Sequence, residues 1–150
     1  MKKAIVTGAT GAVGTALVNK LISENVETLV LVRKGGRVNK IPQNPLVKIA
    51  YCSLDEMADF QNTDNEKYDV MFHLAWAGPY GKDRNDMFLQ TDNIKNELEA
   101  VKLAKRFGTR LFSNEYGRPL MYTPLPFPNS LTAICTSSAW RTAKGSSLAF

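Results

Sequence analysis

The sequence predicts an α/β fold: a doubly wound parallel sheet with helices on both faces, truncated after about five strands. Three observations predict it. Short apolar runs alternate along the chain with segments of helical period. Three glycines, spaced by three, stand where the first apolar run ends. The chain has 150 residues, of which 44% are hydrophobic, so it can bury one sizeable core and makes one domain.

The turn after the first apolar run is the most informative stretch. Gly8 permits a tight turn, Gly11 lets the backbone approach a pyrophosphate, and Gly14 lets the following helix pack closely on the strand. The first amides of that helix, around Ala12 and Val13, have no internal partner and lie at its positive end, where an anion binds well. The pattern indicates dinucleotide binding, and the alternative is a structural turn that holds no ligand.

This turn is part of a longer segment, Thr7-Gly8-Ala9-Thr10-Gly11-Ala12-Val13-Gly14. The segment resembles the cofactor loop of the extended short-chain dehydrogenases/reductases in the NAD-dependent epimerase/dehydratase family. The resemblance implies a Rossmann-like fold that binds NAD or NADP and usually acts on nucleotide-linked sugars. The cofactor contacts that it implies in this segment are Gly8, Thr10, Gly11, Ala12, Val13 and Gly14. Members of the family are much longer than this chain, so the resemblance also implies that a large part is missing.

The first strand and helix are predicted around this turn, with the strand at residues 4–6. The apolar residues that recur at helical spacing after it are Val13, Leu17 and Leu21, with Ala16 beside them. The helix is expected to fade near residues 23–25.

A second strand is predicted at residues 28–32, and Arg33 follows it directly. In dinucleotide sites an acidic residue at this place holds the ribose hydroxyls, whereas a basic residue can pair with a 2′-phosphate. Arg33 therefore favours NADP over NAD, and the alternative is that it is a solvated cation of the loop.

A third strand is predicted at residues 46–51. The resemblance implies an acidic residue just past this strand, in contact with the adenine. Ser53 stands at that place and Leu54 follows, and these two are the implied cofactor contacts here; a serine can still hydrogen-bond, but it departs from the family pattern. Residues 54–60 predict a short helix, and residues 62–67 predict a polar connection.

The fourth strand, at residues 68–73, ends in small residues, as is required where a nicotinamide ribose lies close over backbone. It resembles the corresponding strand of the family, and the cofactor contacts that this implies are Leu74, Ala75, Trp76 and Ala77. Two alternatives stay open here. His73 is a satisfied core residue or a catalytic one, and Trp76 is a packing residue or the wall of a pocket.

A long helix follows from about Arg84 and ends at Gly108. The apolar residues that share one face of it are Met87, Ile94, Leu98 and Val101, with Ala104 nearby. The resemblance implies that Asn93 contacts the cofactor, and the alternative is a polar surface residue.

The pattern departs from the family after the predicted fifth strand at residues 109–113. The resemblance implies a catalytic Ser or Thr there, for which Ser113 is the candidate, and a Tyr with a Lys four residues later on one helix face. None of the five tyrosines has a Lys at that distance. Residues 122–128 predict an extended, proline-rich loop. The family-like domain is expected to span residues 1–133, and residues 134–150 to form an irregular, disordered tail.

Composition excludes several classes of protein. The net charge of +5 is modest and its cations are scattered among acidic residues, which is typical of a solvated surface and not of a nucleic-acid site. Cys52 and Cys135 lie far apart without metal-ligand spacing and are expected to be free thiols. We find no signal peptide and no membrane span, and expect a cytoplasmic protein without a metal, nucleic-acid or membrane partner. The open sheet edge favours self-association, such as a homodimer.

Three functions stay open at this stage. The chain is an NAD(P)-dependent epimerase, dehydratase or reductase, a dinucleotide-binding module without turnover, or a truncated remnant without function. The missing Tyr and Lys pair counts against turnover, and the glycine turn counts for cofactor binding.

Overall fold

The computed structural model describes residues 1–63, 65–109 and 111–114, the last four by their backbone alone. The strands are β1 (Lys3–Thr7), β2 (Glu27–Val32), β3 (Val47–Tyr51), β4 (Val70–His73) and β5 (Leu111–Asn114). The α-helices are α1 (Ala12–Ser23) and α2 (Met87–Arg106). Three short 3-10 helices cover Val38–Lys40, Leu54–Glu56 and Gly81–Asn85.

The five strands form one parallel sheet in the order β3-β2-β1-β4-β5. The chain moves outward from β1 through β2 to β3, then crosses back to place β4 on the other side of β1. The order therefore reverses between β1 and β4. This arrangement confirms the predicted α/β fold with a parallel sheet.

Two hydrophobic cores lie on opposite faces of the sheet, because successive residues of a strand point to opposite sides. Ala4 and Val6 belong to the first core, where Val18 and Leu21 of α1 cover them. Ile5 lies between them in sequence but belongs to the second core, which α2 covers. The sheet is thus covered by helices on both faces, as the sequence predicted.

The predicted apolar face of α2 is confirmed only in the second half of the helix. Met87, Ile94 and Leu98 are 79%, 49% and 48% exposed, whereas Val101 packs against the second core and Ala104 is buried. The other buried residues of α2 are Asn93, Glu97, Ala100 and Leu103. Small alanines let the helix approach the sheet closely, and a buried asparagine is acceptable where backbone groups satisfy its amide. Size and hydrogen bonding therefore act together with hydropathy in deciding which side of this helix faces inward.

The predicted face of α1 is wrong at its first position for a related reason. Val13 is 50% exposed, whereas Gly14, Val18 and Leu21 are buried against the sheet. Gly14, the third residue of α1, has no side chain and lets the start of the helix lie close to β1. The side chain of Val13 therefore points outward.

The helix predicted at residues 54–60 is a single 3-10 turn, Leu54–Glu56. The residues after it continue as a turn, in which the amides of Asp59 and Phe60 both donate to the Glu56 carbonyl, at 3.2 and 3.1 Å. The carbonyls of Met57 and Ala58 accept hydrogen bonds from the guanidinium of Arg106. The expectations for residues 122–128 and 134–150 lie outside the described residues. Within the described ranges, none of the helices has both the length and the apolarity that a membrane crossing requires.

Candidate functional site

The candidate site is the edge of the sheet at which all five strands end. Because the strands are parallel, the residues that follow β1, β2, β3 and β4 all emerge there. The glycine turn follows β1, and the segment at residues 74–78, called here the β4 loop, follows β4. These two loops flank the point where the strand order reverses, which is where open α/β sheets bind their ligands.

The glycine turn and the β4 loop touch through Gly8. Gly8 has a φ of +70°, and a Cβ atom there would lie 2.5 Å from the carbonyl carbon and oxygen of Leu74 and 2.7 Å from the amide nitrogen of Ala75. Such distances leave no room for a side chain. Gly14 is equally constrained, since a Cβ there would lie 2.2 Å from the Gly8 carbonyl oxygen. Both glycines serve close backbone packing.

Gly11 is in a different situation. Its φ of −78° and ψ of 171° are accessible to any residue. A Cβ atom there would contact only the Gly8 carbonyl oxygen, at an ordinary 3.4 Å. The structure itself therefore leaves the space above Gly11 open, and a side chain at this position would extend into that space.

The start of α1 borders the same open space. Within the described part of the chain no side chain caps this helix at Gly11, and its first turn holds no acidic residue. Ala12 and Val13 are exposed, and Thr10 is half-buried. In contrast, the carboxylate of Asp86 caps α2, because it accepts hydrogen bonds from the amides of Phe88 and Leu89 at 3.0 and 3.1 Å. The positive end of α1 is thus open to an external anion, and that of α2 is not.

Thr15 supports the turn from inside the helix, and our sequence analysis missed it. Its hydroxyl lies 3.0 Å from the carbonyl oxygen of Ala9 and 2.8 Å from that of Gly11, to which it donates. The Gly11 carbonyl also accepts from the Thr15 amide at 2.9 Å. Thr15 thus holds the carbonyls of Ala9 and Gly11, and the amide of Gly11 donates to the Gly8 carbonyl at 3.0 Å within the turn. A threonine four residues after the second glycine was the available indication.

The β4 loop is fixed at its far end by α2. The amide of Ala77 donates to Asn93 Oδ1 at 2.9 Å, and Asn93 Nδ2 donates back to the Ala77 carbonyl at 2.8 Å. Asn93 is only 2% exposed, so it is not a polar surface residue. The side chain bonds Ala77 as a neighbouring strand would and fixes the orientation of its peptide groups.

Gln90 extends this attachment, and sequence reasoning also missed it. Its Oε1 accepts from the indole Nε1 of Trp76 at 2.9 Å and from Asn93 Nδ2 at 3.3 Å. Its Nε2 donates to the carbonyl of Asp83 at 3.0 Å. One amide therefore fixes the half-buried Trp76 ring and ties the β4 loop to the following 3-10 helix.

The near end of the β4 loop is fixed by Thr7, the last residue of β1. Its hydroxyl oxygen accepts from the amides of Leu74 and Ala75, both at 3.2 Å, and lies 2.9 Å from His73 Nδ1. His73 is 2% exposed, and burial lowers its pKa to about 4. The imidazole is therefore neutral at physiological pH.

A sequence model of the NAD dependent epimerase/dehydratase family matches residues 4–115. The chain belongs to this family. The match includes β1 to β5 and every candidate site residue. No curated protein matches the chain.

Solved structures of two epimerases and of a third enzyme share the fold of this family member. A UDP-galactose 4-epimerase is 22% identical to this chain, with a TM-score of 0.63. The match covers 75% of this chain and 37% of the epimerase. The Bordetella bronchiseptica enzyme WbmG, solved with NAD and UDP, is 20% identical, with a TM-score of 0.60 and coverages of 74% and 36%. The UDP-glucose 4-epimerase of Thermotoga maritima, solved with UDP-glucose, is 19% identical, with a TM-score of 0.57 and coverages of 75% and 37%. The chain spans little more than a third of the length of each.

The residues that follow β3 in this family member have structural roles. The carboxylate of Glu56 accepts from the Ser53 amide at 2.9 Å, and Ser53 caps the turn that follows. Hydrogen bonds from Ser53 lower the pKa values of Asp55 and Glu56. Leu54 is half-buried and packs against the second core. Burial raises the pKa of the neighbouring Cys52 thiol to about 11, which keeps it protonated and unreactive.

The two remaining candidates of the epimerase/dehydratase pattern, Arg33 and Ser113, belong to strands on opposite sides of β1. Arg33 is exposed and follows β2 directly, as predicted from the sequence. Ser113 lies within β5, where its backbone pairs in register with Phe72, so it does not follow the strand as a catalytic residue was expected to. The side chain of Ser113 lies outside the described part of the structure.

Proposed function

We propose that this chain binds a nicotinamide dinucleotide across the carboxyl edge of its sheet. The pyrophosphate would lie on residues 8–13, with Thr10 and Gly14 at the borders of that turn, and the nicotinamide near residues 74–77. The observation that carries the proposal is the difference between the two helix starts: that of α2 is capped by Asp86, whereas that of α1 is exposed and uncapped. Solved structures of the same fold, WbmH and WbmG, contain NAD.

The residues at this edge suit the group. A diphosphate needs backbone amides that a side chain does not shield, and Gly11 leaves that space open. The nicotinamide ring needs a flat, rigid neighbour, which the β4 loop supplies because Thr7 and Asn93 hold both of its ends. When bound, a nicotinamide dinucleotide supplies hydride transfer. The chain's own contribution is to bind and orient it.

We further propose that the cofactor is NADP in preference to NAD. Arg33 supports this, because an exposed guanidinium at the end of β2 can pair with a 2′-phosphate bidentately. No acidic residue stands between Val32 and Gly36 to hold ribose hydroxyls. We propose only a hydrogen-bonding role in adenine recognition for Ser53, and a packing role for Leu54.

The substrate of a full-length relative would be a nucleotide sugar, as the family resemblance implies. For this chain we propose cofactor binding without turnover, since none of its five tyrosines is followed by a Lys at the fourth position. Ser113 is then a residue of β5 without a catalytic partner in this sequence. The non-functional remnant is the alternative.

Titration of the purified chain with NADPH and NADH, followed by the fluorescence of the reduced nicotinamide, tests the proposal. We expect saturable binding, tighter for NADPH, and no oxidation or epimerisation of UDP-galactose. Gly11→Val is expected to weaken binding more than about tenfold, because its side chain occupies the space of the pyrophosphate. Asn19→Val, on an exposed position of α1, is the matched control and should bind normally.

Arg33→Ala tests the choice between the two dinucleotides. We expect it to weaken NADPH binding about tenfold and to leave NADH binding unchanged, because only NADPH carries the 2′-phosphate. Equal effects on both would contradict the role of Arg33. A wild-type chain that binds neither dinucleotide would favour the remnant.

A further inference from the structure

The hydrogen bonds around Thr7 assign a role to a residue that the proposed function does not use. Thr7 and His73 are 1% and 2% exposed and are direct partners across the register of β1 and β4. Both lie at the last position of their strands, immediately below the contact between the glycine turn and the β4 loop. A small rearrangement of these two side chains would therefore shift the contact between the glycine turn and the β4 loop.

The direction of the bond between them follows from counting protons and lone pairs. A hydroxyl has one proton to donate and two lone pairs that accept. The Thr7 hydroxyl oxygen accepts from the amides of Leu74 and Ala75, both at 3.2 Å, and the Leu74 amide is shared with the Thr7 backbone carbonyl at 3.3 Å. Both lone pairs of the hydroxyl oxygen are then used. The hydroxyl must then donate its hydrogen bond to His73 Nδ1, at 2.9 Å. The imidazole is consequently unprotonated at Nδ1 and carries its single proton on Nε2.

We propose that His73 is a positioning residue for the nicotinamide half of the dinucleotide site, an inference that rests on the proposed function. By accepting a hydrogen bond from the Thr7 hydroxyl, His73 orients the hydroxyl so that its lone pairs accept from the first two amides of the β4 loop. Without an acceptor at Nδ1, that hydroxyl would rotate and compete with one of the amides. The histidine thus acts on the ligand through Thr7 and does not contact it.

The structure shows why this positioning would be local. The bonds from Thr7 reach only the amides of Leu74 and Ala75, whereas the glycine turn is held separately by Thr15. Loosening the first attachment should disturb the surface under the nicotinamide and leave the pyrophosphate turn intact. A general loss of structure would disturb both.

The proton position can be observed in the unmodified chain. His73 is the only histidine of the sequence, so a long-range proton–nitrogen correlation spectrum contains a single imidazole. We expect a neutral ring with its proton on Nε2 and an unprotonated Nδ1 at pH 7. A proton on Nδ1 would overturn the proposal, because Thr7 could not then donate to His73.

Binding of two probes, NADH and ADP, tests the positioning itself. His73→Phe keeps a ring but removes the acceptor; we expect about tenfold weaker binding of NADH and unchanged binding of ADP, which lacks the nicotinamide half. His73→Asn places an amide oxygen near the position of Nδ1 and is expected to restore NADH binding. In a Thr7→Val background, His73→Phe should have no further effect on NADH binding.

The outcomes separate this inference from the proposed function. If the wild-type chain binds none of NADPH, NADH and ADP, the proposed function fails and the role of His73 fails with it. If the wild type binds both, but His73→Phe weakens both probes equally or weakens neither, only the inference is overturned. If His73→Phe does not fold, the comparison of His73→Asn with wild type and the imidazole spectrum decide: Asn must bind NADH as wild type does, and Nδ1 must be unprotonated.

Discussion

Single residues in the glycine turn have roles that their shared identity hides. Gly8 and Gly14 are required by contacts of 2.2 to 2.8 Å that a Cβ atom would make with neighbouring backbone. Gly11 has an ordinary backbone conformation and an open surface. Gly8 and Gly14 are therefore needed by the fold, whereas Gly11 is not and can serve a ligand.

This difference predicts opposite effects on stability. Gly14→Ala is expected to lower the free energy of unfolding by about 2–3 kcal/mol, because the rigid backbone at Gly8 and Ala9 must move to admit the methyl group. Gly11→Ala should change it by less than about 0.5 kcal/mol, since its φ is unstrained. Urea unfolding of both variants checks this, and similar losses would show that the contacts at Gly14 relax.

His73 predicts a pH dependence of stability. Burial lowers its pKa from 6.5 to about 4 in the folded chain, so between these values the unfolded state binds a proton that the folded state does not. Stability is complete above pH 6.5 and falls as the pH is lowered toward 4. Between pH 7 and pH 5 we expect a loss of about 2 kcal/mol in urea unfolding. His73→Asn is the control and should be nearly flat in this window; an equal slope would assign the loss to other groups.

At the scale of elements, the two helices differ in what they leave for a ligand. Asp86 provides α2 with its own cap, and α1 lacks an equivalent within the described residues. The helices also bury different kinds of surface. The face of α1 is apolar, whereas that of α2 includes Asn93 and Glu97, and Asn93 holds the β4 loop by hydrogen bonds to Ala77.

Loss of the α2 cap should therefore have a measurable cost. We expect Asp86→Ala to lower the free energy of unfolding by about 1 kcal/mol, because the amides of Phe88 and Leu89 lose their acceptor. Asp86→Asn keeps an acceptor oxygen and should cost less. Asp92→Ala, at an exposed position of the same helix, controls for charge and should be nearly neutral. Thermal unfolding of the three variants gives the order, and a cost for Asp92→Ala as large as that for Asp86→Ala would contradict the capping argument.

At the scale of the whole molecule, the site exists because the sheet order reverses between β1 and β4. The reversal opens a crevice between two loops that are 60 residues apart in sequence and in direct contact at Gly8 and Leu74. A ligand across that crevice would contact loops from both halves of the sheet. Binding should thus stabilise the chain as one unit.

The magnitude follows from linkage between binding and folding. At a concentration of NADPH one hundred times its Kd, the free energy of unfolding should rise by about 2.7 kcal/mol. Gly11→Val, which is expected to bind more than about tenfold more weakly, should rise by less than about 1.4 kcal/mol at the same concentration, although its stability without ligand is close to that of the wild type. Thermal melts at several NADPH concentrations measure the effect, and an equal shift for both proteins would place the ligand away from the glycine turn.

The sequence by itself determined the five strands, both helices, the parallel sheet and the position of the glycine turn, but not the order of the strands. These features depend on short-range patterns, namely β-branched runs, helical period and the conformational freedom of glycine, and each can be recognised within a few residues. It also determined the family, since the turn at residues 7–14 carries a specific pattern. The candidate contacts after each strand followed from the rule that parallel strands end at one edge.

Only the tertiary structure decided which side of α2 faces the sheet, what holds the β4 loop, and how Thr7 meets His73. The sequence suggested the stripe with Ile94 and Leu98, but that stripe is half exposed, because the alanines and Asn93 fit the space beside β4 better. Bonds such as that between Thr7 and His73 join residues 66 positions apart. Hydropathy has no term for a hydrogen bond between distant residues, so the way this site is held together appears only once the chain is folded.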